Sequence, residues 1–258
     1  MPLLYTSFAQ TLLIHPCARG ARAAAWRVSK AKISLARLTC YYGDMEQYES
    51  LTEFLKKFPV RTFGKGEIVV AEGLHPRKCY VVKSGFAKVF LTTKSGEEKD
   101  VRFIASNDIF PLSWTFGRTE TSLYYYQAYT DCEMYEIPRE ELTRYVETEP
   151  TMYRRMFEYM LEVNIDLIQH IHSLEQAKAS DKILYAFNFL TRRFGKQISG
   201  AHSRMLLPLT QQDLANFLGL TRETTGAQLK ELQAKGIIKY QQQQYVIHTD
   251  RLRALIEG

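Results

Sequence analysis

Arg222, Glu223, Thr224 and Gln228 share one short stretch, TRETTGAQLK, whose spacing sets them on the exposed face of a helix. Their chemistry suits base edges. An arginine can hold guanine O6 and N7 with two hydrogen bonds, and a glutamate can accept from cytosine N4. Thr210, Gln211, Thr221 and Lys230 stand around them, with hydroxyl, amide and ammonium groups suited to phosphate oxygens. A helix fits the major groove of duplex DNA, and its first turn meets the bases. A helical hairpin that binds protein could show the same residues, so the types alone leave the partner open.

The elements that must position them lie in Thr210–Gly236, TQQDLANFLGLTRETTGAQLKELQAKG. Thr210 has the chemistry of an N-cap, and Asp213 three residues on makes an acidic capping box. Leu214, Ala215, Phe217 and Leu218 form the buried face of a first helix, and Gly219 ends it where a positive φ is needed. Leu220 plugs the turn. Thr221 caps a second helix, which Leu229 and Leu232 direct at the core and Gly236 stops. This segment resembles the helix-turn-helix of the CRP/FNR family of bacterial transcription regulators; "LTRETTG" is similar to that family's "SRETVGR"-like recognition helix. The resemblance implies Arg222 and Glu223 as base readers. It also marks a departure: members that respond to cAMP place a second base-reading arginine after the glycine, where this chain has Ala227.

Composition agrees with a nucleic-acid binder. The 258 residues suit two domains, and 45% hydrophobic residues are enough for a sizeable core. The net charge of +6 is uneven. Residues 1–45 hold 6 Lys/Arg against 1 acid, residues 46–179 hold 17 against 21, and residues 180–258 hold 11 against 6. A basic C-terminal part on a mildly acidic body fits a DNA reader joined to a sensor. No apolar run reaches the ~18 residues that span a bilayer, so a cytoplasmic protein is expected. Cys17, Cys40, Cys79 and Cys132 have no CxxC spacing, which gives no support to zinc or an iron–sulfur centre and suggests reduced thiols.

Residues 1–44 are rich in Ala and Arg and carry no clean period; they are expected to be a disordered arm or the product of an over-extended gene start. Leu51–Phe58 reads as a short helix stopped by Pro59. From Val60 the period becomes two. Gly64–Gly73, Cys79–Thr93 with a corner at Ser84–Gly85, Glu98–Ile104 after the turn Lys94–Ser95–Gly96, and Ser122–Ile137 with a corner at Thr130–Asp131 read as strands of a small antiparallel roll. Gly66, Ile68, Glu72, Gly73, Tyr80, Val82, Gly85, Ala87 and Val89 make this block resemble the cyclic-nucleotide-binding β-roll.

The resemblance raises cAMP, which needs a glycine–glutamate pair for the ribose and an arginine–serine pair for the phosphate. Here Pro111–Leu112 stand where the first pair belongs, and Arg118–Thr119 imitate the second only loosely. A buried phosphate without a paired cation and aimed amides is costly, so cAMP is not expected. Haem, used by gas-sensing relatives, has only His75 as a candidate ligand and is not expected either. The aromatic residues of this region, Phe110, Trp114, Phe116, Tyr124, Tyr125 and Tyr126, suit an apolar or planar ligand, or simply fill the roll. Phe110, Trp114, Arg118, Thr119 and Tyr125 are the candidate pocket residues.

Pro138–Tyr145 reads as a short helix, and a long helix follows from Pro150 to about Gln176. Along it Met156, Met160, Val163, Leu167, His170 and Leu174 have coiled-coil spacing and are expected to form a dimer seam. Ile165, Ile168 and Ile171 form a second apolar line, expected to face the roll. Ala177–Asp181 is a hinge with Ser180 as the next cap, Gly195–Ser203 a loop, and Met205–Thr210 a strand. Gly236–Thr249 is a hairpin, so the unit is a winged helix-turn-helix, although the glutamines at its tip are not usual turn residues.

The expected fold is therefore α+β: an arm at 1–44, a sensor roll at 45–147, a dimerisation helix and hinge at 148–179, and a winged helix-turn-helix at 180–258. No nucleophile–base pair, phosphate-binding glycine loop or metal spacing points to an enzyme. The expected function is a homodimeric regulator that binds a pseudo-palindromic operator in double-stranded DNA under control of a signal at the roll. The resemblance adds contact with RNA polymerase. A ligand-binding adaptor of the same fold that never meets DNA is the alternative.

Overall fold

The computed structural model describes residues 49–257, so the expectation for residues 1–44 lies outside the described residues. After α1 (Glu49–Leu55) come eight short strands: β1 (Val60–Phe63), β2 (Ile68–Val70), β3 (Cys79–Ser84), β4 (Ala87–Thr92), β5 (Glu98–Ile104), β6 (Ile109–Phe110), β7 (Tyr125–Ala128) and β8 (Cys132–Ile137). One helical turn, α2 (Leu112–Thr115), interrupts them. They make two four-stranded antiparallel sheets, ordered β1-β8-β3-β6 and β2-β7-β4-β5. Every second side chain points inward, and Phe63, Val82, Val89, Phe110, Tyr126 and Met134 join the two inner faces in one core. At the β3–β4 corner Gly85 has φ +85°, and a Cβ there would stand 2.3 Å from the Asp131 carbonyl; only glycine fits.

Two helices follow, α3 (Arg139–Thr148) and α4 (Pro150–Leu174). Proline at the first position of α4 leaves no interior hydrogen bond unmade. The packing of α4 corrects the expected seam. Met156 and His170 are buried in their own chain, Val163, Leu167 and Leu174 are half-buried, and of the six only Met160 is exposed. Tyr153, Phe157, Met160, Leu161, Ile165, Ile168 and Ile171 form the exposed apolar stripe instead. Ile165, Ile168 and Ile171 thus face away from the roll, contrary to expectation. Both lines carry helical spacing, and spacing alone cannot say which one its own sheet will cover.

The rest of the chain is α5 (Ala179–Phe194), β9 (Gly195–Ser199), β10 (His202–Met205), α6 (Gln211–Leu218), α7 (Arg222–Ala234), β11 (Ile238–Gln241), β12 (Gln244–His248) and α8 (Thr249–Glu257). Its strands form one antiparallel sheet in the order β11-β12-β10-β9. The stretch expected as a loop over Gly195–Ser203 is thus mostly the β9–β10 hairpin, turning at Gly200. Only Met205 of the expected strand Met205–Thr210 is in a strand. The N-cap of α5 is Lys178, and Ser180 lies inside the first turn. The C-terminal helix α8 has no counterpart among the expected elements.

This helical unit is seated on the roll. Phe103 of β5 and Tyr129 of the β7–β8 corner belong to the same buried cluster as Phe187, Leu214, Phe217 and Leu229. The Phe103 ring lies 5.3 Å from Phe217 and 5.5 Å from Tyr129. Below these rings is a buried ionic cluster. Asp108, in the β5–β6 turn, receives Nη2 of Arg102 at 3.1 Å and Nη2 of Arg193 at 2.6 Å. Arg193 of α5 also pairs with Asp166 of α4. Burial pushes the Asp108 carboxyl up, but the Arg193 and Arg102 guanidiniums outweigh it and hold Asp108 below the usual carboxylate range.

Candidate nucleic-acid interface and sensor cavity

The helix pair α6–α7 forms as its cap chemistry requires. The Thr210 hydroxyl oxygen accepts the Asp213 N–H at 3.2 Å, and the Asp213 carboxylate accepts the Thr210 N–H at 2.8 Å. Gly219 closes α6 in the left-handed region at φ +63°. The Thr221 hydroxyl then accepts the Thr224 N–H at 3.1 Å and so starts α7. Thr225, Gly226, Leu229 and Leu232 are buried, which turns the opposite face of α7 outward.

On that face Arg222, Glu223, Thr224 and Lys230 are exposed and Gln228 is half-buried. Arg222, Glu223, Gln228 and Lys230 make no side-chain hydrogen bond or ion pair among the described residues. Thr210, Gln211, Arg222 and Lys230 line one cleft of about 340 Å³, together with Gln212, Gln233 and Tyr240 of the wing. The structure therefore brings together three of the four expected phosphate contacts and one expected base contact. Thr221, Glu223, Thr224 and Gln228 lie outside that cleft along α7. Two threonine hydroxyls are occupied as donors: Thr210 donates to Asp213 and Thr221 to Thr224 at 3.0 Å. At those two positions the backbone amides of the helix starts, rather than the hydroxyls, have N–H groups to offer an anion. Gln212 and the wing Tyr240 join the surface without having been legible as contacts in the sequence, because the wing's place beside α6 is a matter of tertiary folding.

The wing ends in a two-residue turn. Gln242 and Gln243 both have positive φ, 51° and 61°, which is the turn usually made by Asn-Gly. This geometry resolves the odd glutamine tip, at the cost of two side chains in the left-handed region.

A second concavity lies between the roll and α4. It has a volume of about 720 Å³ and is mostly apolar, with Phe110, Leu112, Phe116, Tyr126, Met156 and Leu167 among its walls. Of the expected pocket residues, Phe110 and Arg118 line it. Trp114 is buried with the α3–α4 core, Tyr125 stacks on Phe90 with centroids 5.0 Å apart, and Thr119 is not in the wall. Tyr124 and Phe116, already noted as aromatic candidates, do line it. Burial drives the Tyr126 hydroxyl well above the usual phenol range, so it is neutral. The wall contains two arginines, Arg102 and Arg118, and Glu147; Arg102 is paired with Asp108, and Arg118 and Glu147 are exposed. Among the described residues no grouping of His, Cys, Asp and Glu could hold a metal ion. His75, the candidate haem ligand, has Nδ1 2.7 Å from the Glu120 carbonyl and is not in the cavity wall. Cys79 and Cys132 are buried free thiols, and Cys17 and Cys40 lie outside the described residues. No described helix is long and apolar enough to cross a membrane.

Contacts between the two parts meet at the first helix of the pair. The Tyr129 hydroxyl donates to the Asp213 carboxylate at 2.6 Å, the same carboxylate that caps α6. His170 of α4 stacks on Phe217 at 3.7 Å, with Nδ1 3.1 Å from the Val101 carbonyl and Nε2 2.7 Å from the Phe217 carbonyl. It is an element of this docking within one chain rather than of a seam between chains.

Known proteins carry the same two parts in the same order. Residues 60–149 match the cyclic nucleotide-binding domain, and residues 186–255 match the Crp-like helix-turn-helix domain. The chain is 27% identical over 215 residues to the transcriptional activator protein anr of Pseudomonas aeruginosa, covering 83% of this chain and 86% of that protein. It is 27% identical over 225 residues to the transcriptional activator protein FnrL of Cereibacter sphaeroides, covering 86% and 88%. Its fold is that of FixK2 from Bradyrhizobium japonicum, with a TM-score of 0.66 at 20% identity over 77% of this chain and 96% of the other. With the roll, the long helix and the capped helix pair in place, these matches make the chain a member of the CRP/FNR family of DNA-binding transcription regulators.

Proposed function

We propose that this regulator acts as a homodimeric transcription activator whose affinity for DNA is set by a small molecule in the cavity between the roll and α4. The observation that carries the DNA part is the outward face of α7. Arg222, Glu223, Gln228 and Lys230 stand there without side-chain hydrogen bonds or ion pairs among the described residues, and Arg222 and Lys230 share a cleft with the start of α6. In a major groove Arg222 and Glu223 would meet base edges, with Thr224 and Gln228 beside them. Gln211, Lys230 and the amides at the starts of α6 and α7 would hold phosphates.

The dimer reading rests on the exposed stripe of α4. Phe157, Asn164 and Ile171 recur at heptad intervals, flanked by Tyr153, Met160, Leu161 and Ile168. An apolar stripe of this length is unusual on a surface that stays in water. Two copies joined along it would present two α7 helices to a two-fold operator, with half-sites about one helical turn apart. The activator reading comes from the named relatives, and with it the family's contact with RNA polymerase.

The sensor reading rests on the cavity. Its walls favour an apolar or planar molecule, because Leu112, Phe116 and Tyr126 dominate them, and Pro111–Leu112 stand in place of the glycine–glutamate pair that would hold a cyclic nucleotide's ribose.

Operator binding tests the proposal. Fragments selected from random DNA should bind far more tightly than unselected DNA, with affinity falling steeply as salt rises. Arg222→Ala should cost about 1–3 kcal/mol and relax the choice at one base pair. Equal affinity for selected and random DNA would defeat the reading.

A further inference from the structure

Arg102 stands where the cavity meets the docking cluster. Arg102 is one of the residues of the cavity wall, and its guanidinium reaches Asp108 and Asp166, the carboxylates that hold Arg193 of α5. Its bonds are uneven. Nη2 donates to Asp108 at 3.1 Å, whereas Nη1 reaches the Tyr159 hydroxyl only at 3.5 Å. Nε is buried, 3.7 Å from Asp166, and has no hydrogen-bond partner among the described residues. Both carboxylates are better served by Arg193, which lies 2.6 Å from Asp108 and in direct contact with Asp166. The guanidinium of Arg102, a residue of the cavity wall, is thus a buried cation weakly partnered on Nη1 and Nε. An anionic group placed there would receive charge-assisted hydrogen bonds in surroundings that screen them poorly.

We propose that the cavity takes a planar apolar molecule carrying one anionic group, that the anion pairs with Arg102, and that this pairing couples the cavity to the seating of the DNA-binding unit. The inference rests on the reading of the cavity as the effector site and adds the charge of the ligand and the route of its signal. The route follows from the charges. Arg102 and Arg193 face Asp108 and Asp166 across the cluster. An anion in the cavity draws Arg102 away from Asp108 and strengthens the hold of Arg193 on that carboxylate. α5 is then held more firmly to the roll, so occupancy favours the docked orientation. Because coupling between two sites is reciprocal, loosening Arg193 must weaken the anion by the same factor. Arg193 is not in the cavity wall, so that effect cannot come from direct contact.

Two fluorescent probes test this in the full-length protein. 1-Anilinonaphthalene-8-sulfonate has a planar apolar body and one sulfonate; N-phenyl-1-naphthylamine has the same rings and no charge. Arg102→Met should weaken the sulfonate about tenfold or more, the worth of one charge-assisted pair, and leave the uncharged probe within about twofold. Arg102→Lys, which keeps the charge, should retain much of the sulfonate affinity and guards against a trivial loss of fold. Arg193→Gln should weaken the sulfonate severalfold and spare the uncharged probe. An unchanged sulfonate affinity in Arg102→Met, or an equal fall for both probes, overturns the anion site. An unchanged sulfonate affinity in Arg193→Gln overturns the coupling. If neither probe binds the parent protein, the effector reading of the cavity falls along with the inference.

Discussion

Arg193→Met isolates the energetics of the buried cluster. Methionine keeps most of the apolar stem, so little volume is lost and the change is mainly one of charge. Without the guanidinium, Asp108 and Asp166 lose the arginine that pairs with both and keep Arg102. Asp108 keeps its bond from Nη2 at 3.1 Å and the Ala105 N–H at 2.8 Å, and Arg102 Nε stands 3.7 Å from Asp166. Removing one partner from a buried ionic cluster costs about 3–5 kcal/mol. That is a large share of a stability of about 5–15 kcal/mol. Urea unfolding followed by far-ultraviolet circular dichroism measures it. Arg193→Met combined with Asp166→Leu removes one charge of each sign and should recover most of the loss, giving a coupling of about 2–3 kcal/mol in the double-mutant cycle. The acid limb provides a second readout. In the parent, Asp108 is held below its ordinary value, so its contribution is complete above about pH 4 and is lost as pH falls through the lowered pKa. Removing Arg193 takes away the largest lowering influence and leaves burial to push the carboxyl up, so the variant should lose stability at higher pH than the parent. A cost below about 1 kcal/mol, or a double variant no better than the single, would refute the assignment of this cluster as the fastening between α5 and the roll.

Other expectations follow from single features. Gln242→Asn with Gln243→Gly supplies residues suited to positive φ and should raise the stability of the wing by about 1 kcal/mol, read as a higher melting temperature; an unchanged or lower value contradicts the turn described. Burial lowers the pKa of His170 below the ordinary imidazole value, against the raising effect of the Phe217 and Val101 carbonyls. Its charged neighbours in the packed interface are Asp166, Arg102 and Arg193. Docking should therefore be fully stable above about pH 6.5 and weaken as pH falls below it. Hydrogen-exchange protection of α6 should drop on acidification in the parent and lose that part of its pH response in His170→Phe; identical responses would count against the docking role. Asn164→Val on the exposed stripe of α4 removes a polar group from the proposed dimer seam and should tighten the dimer by about 1–2 kcal/mol in dilution experiments. A dimer that is unaffected would place the seam elsewhere.

Much of this was legible in the sequence because local chemistry decided it. Thr210, Asp213, Gly219 and Thr221 fix the starts and the stop of two helices within a few residues of themselves, and period-two patterning bounded by glycines gives the strands of the roll. The exposure of Arg222 and Glu223 follows from the same local spacing. What tertiary structure decided was which of two equally periodic faces is covered. On α4 the line through Met156 and His170 turned inward and the line through Ile168 and Ile171 stayed outside, because burial depends on what the sheet and α6 present to the helix. The cavity wall was reshaped for the same reason. Adjacent Tyr125 and Tyr126 point to opposite sides of β7, and the pairing of β7 with β4 sends Tyr126 to the cavity and Tyr125 to Phe90. The meeting of Arg102, Asp108, Asp166 and Arg193 joins residues far apart along the chain, and no local pattern could have announced it; charges so distant in sequence become partners only when packing removes the water between them.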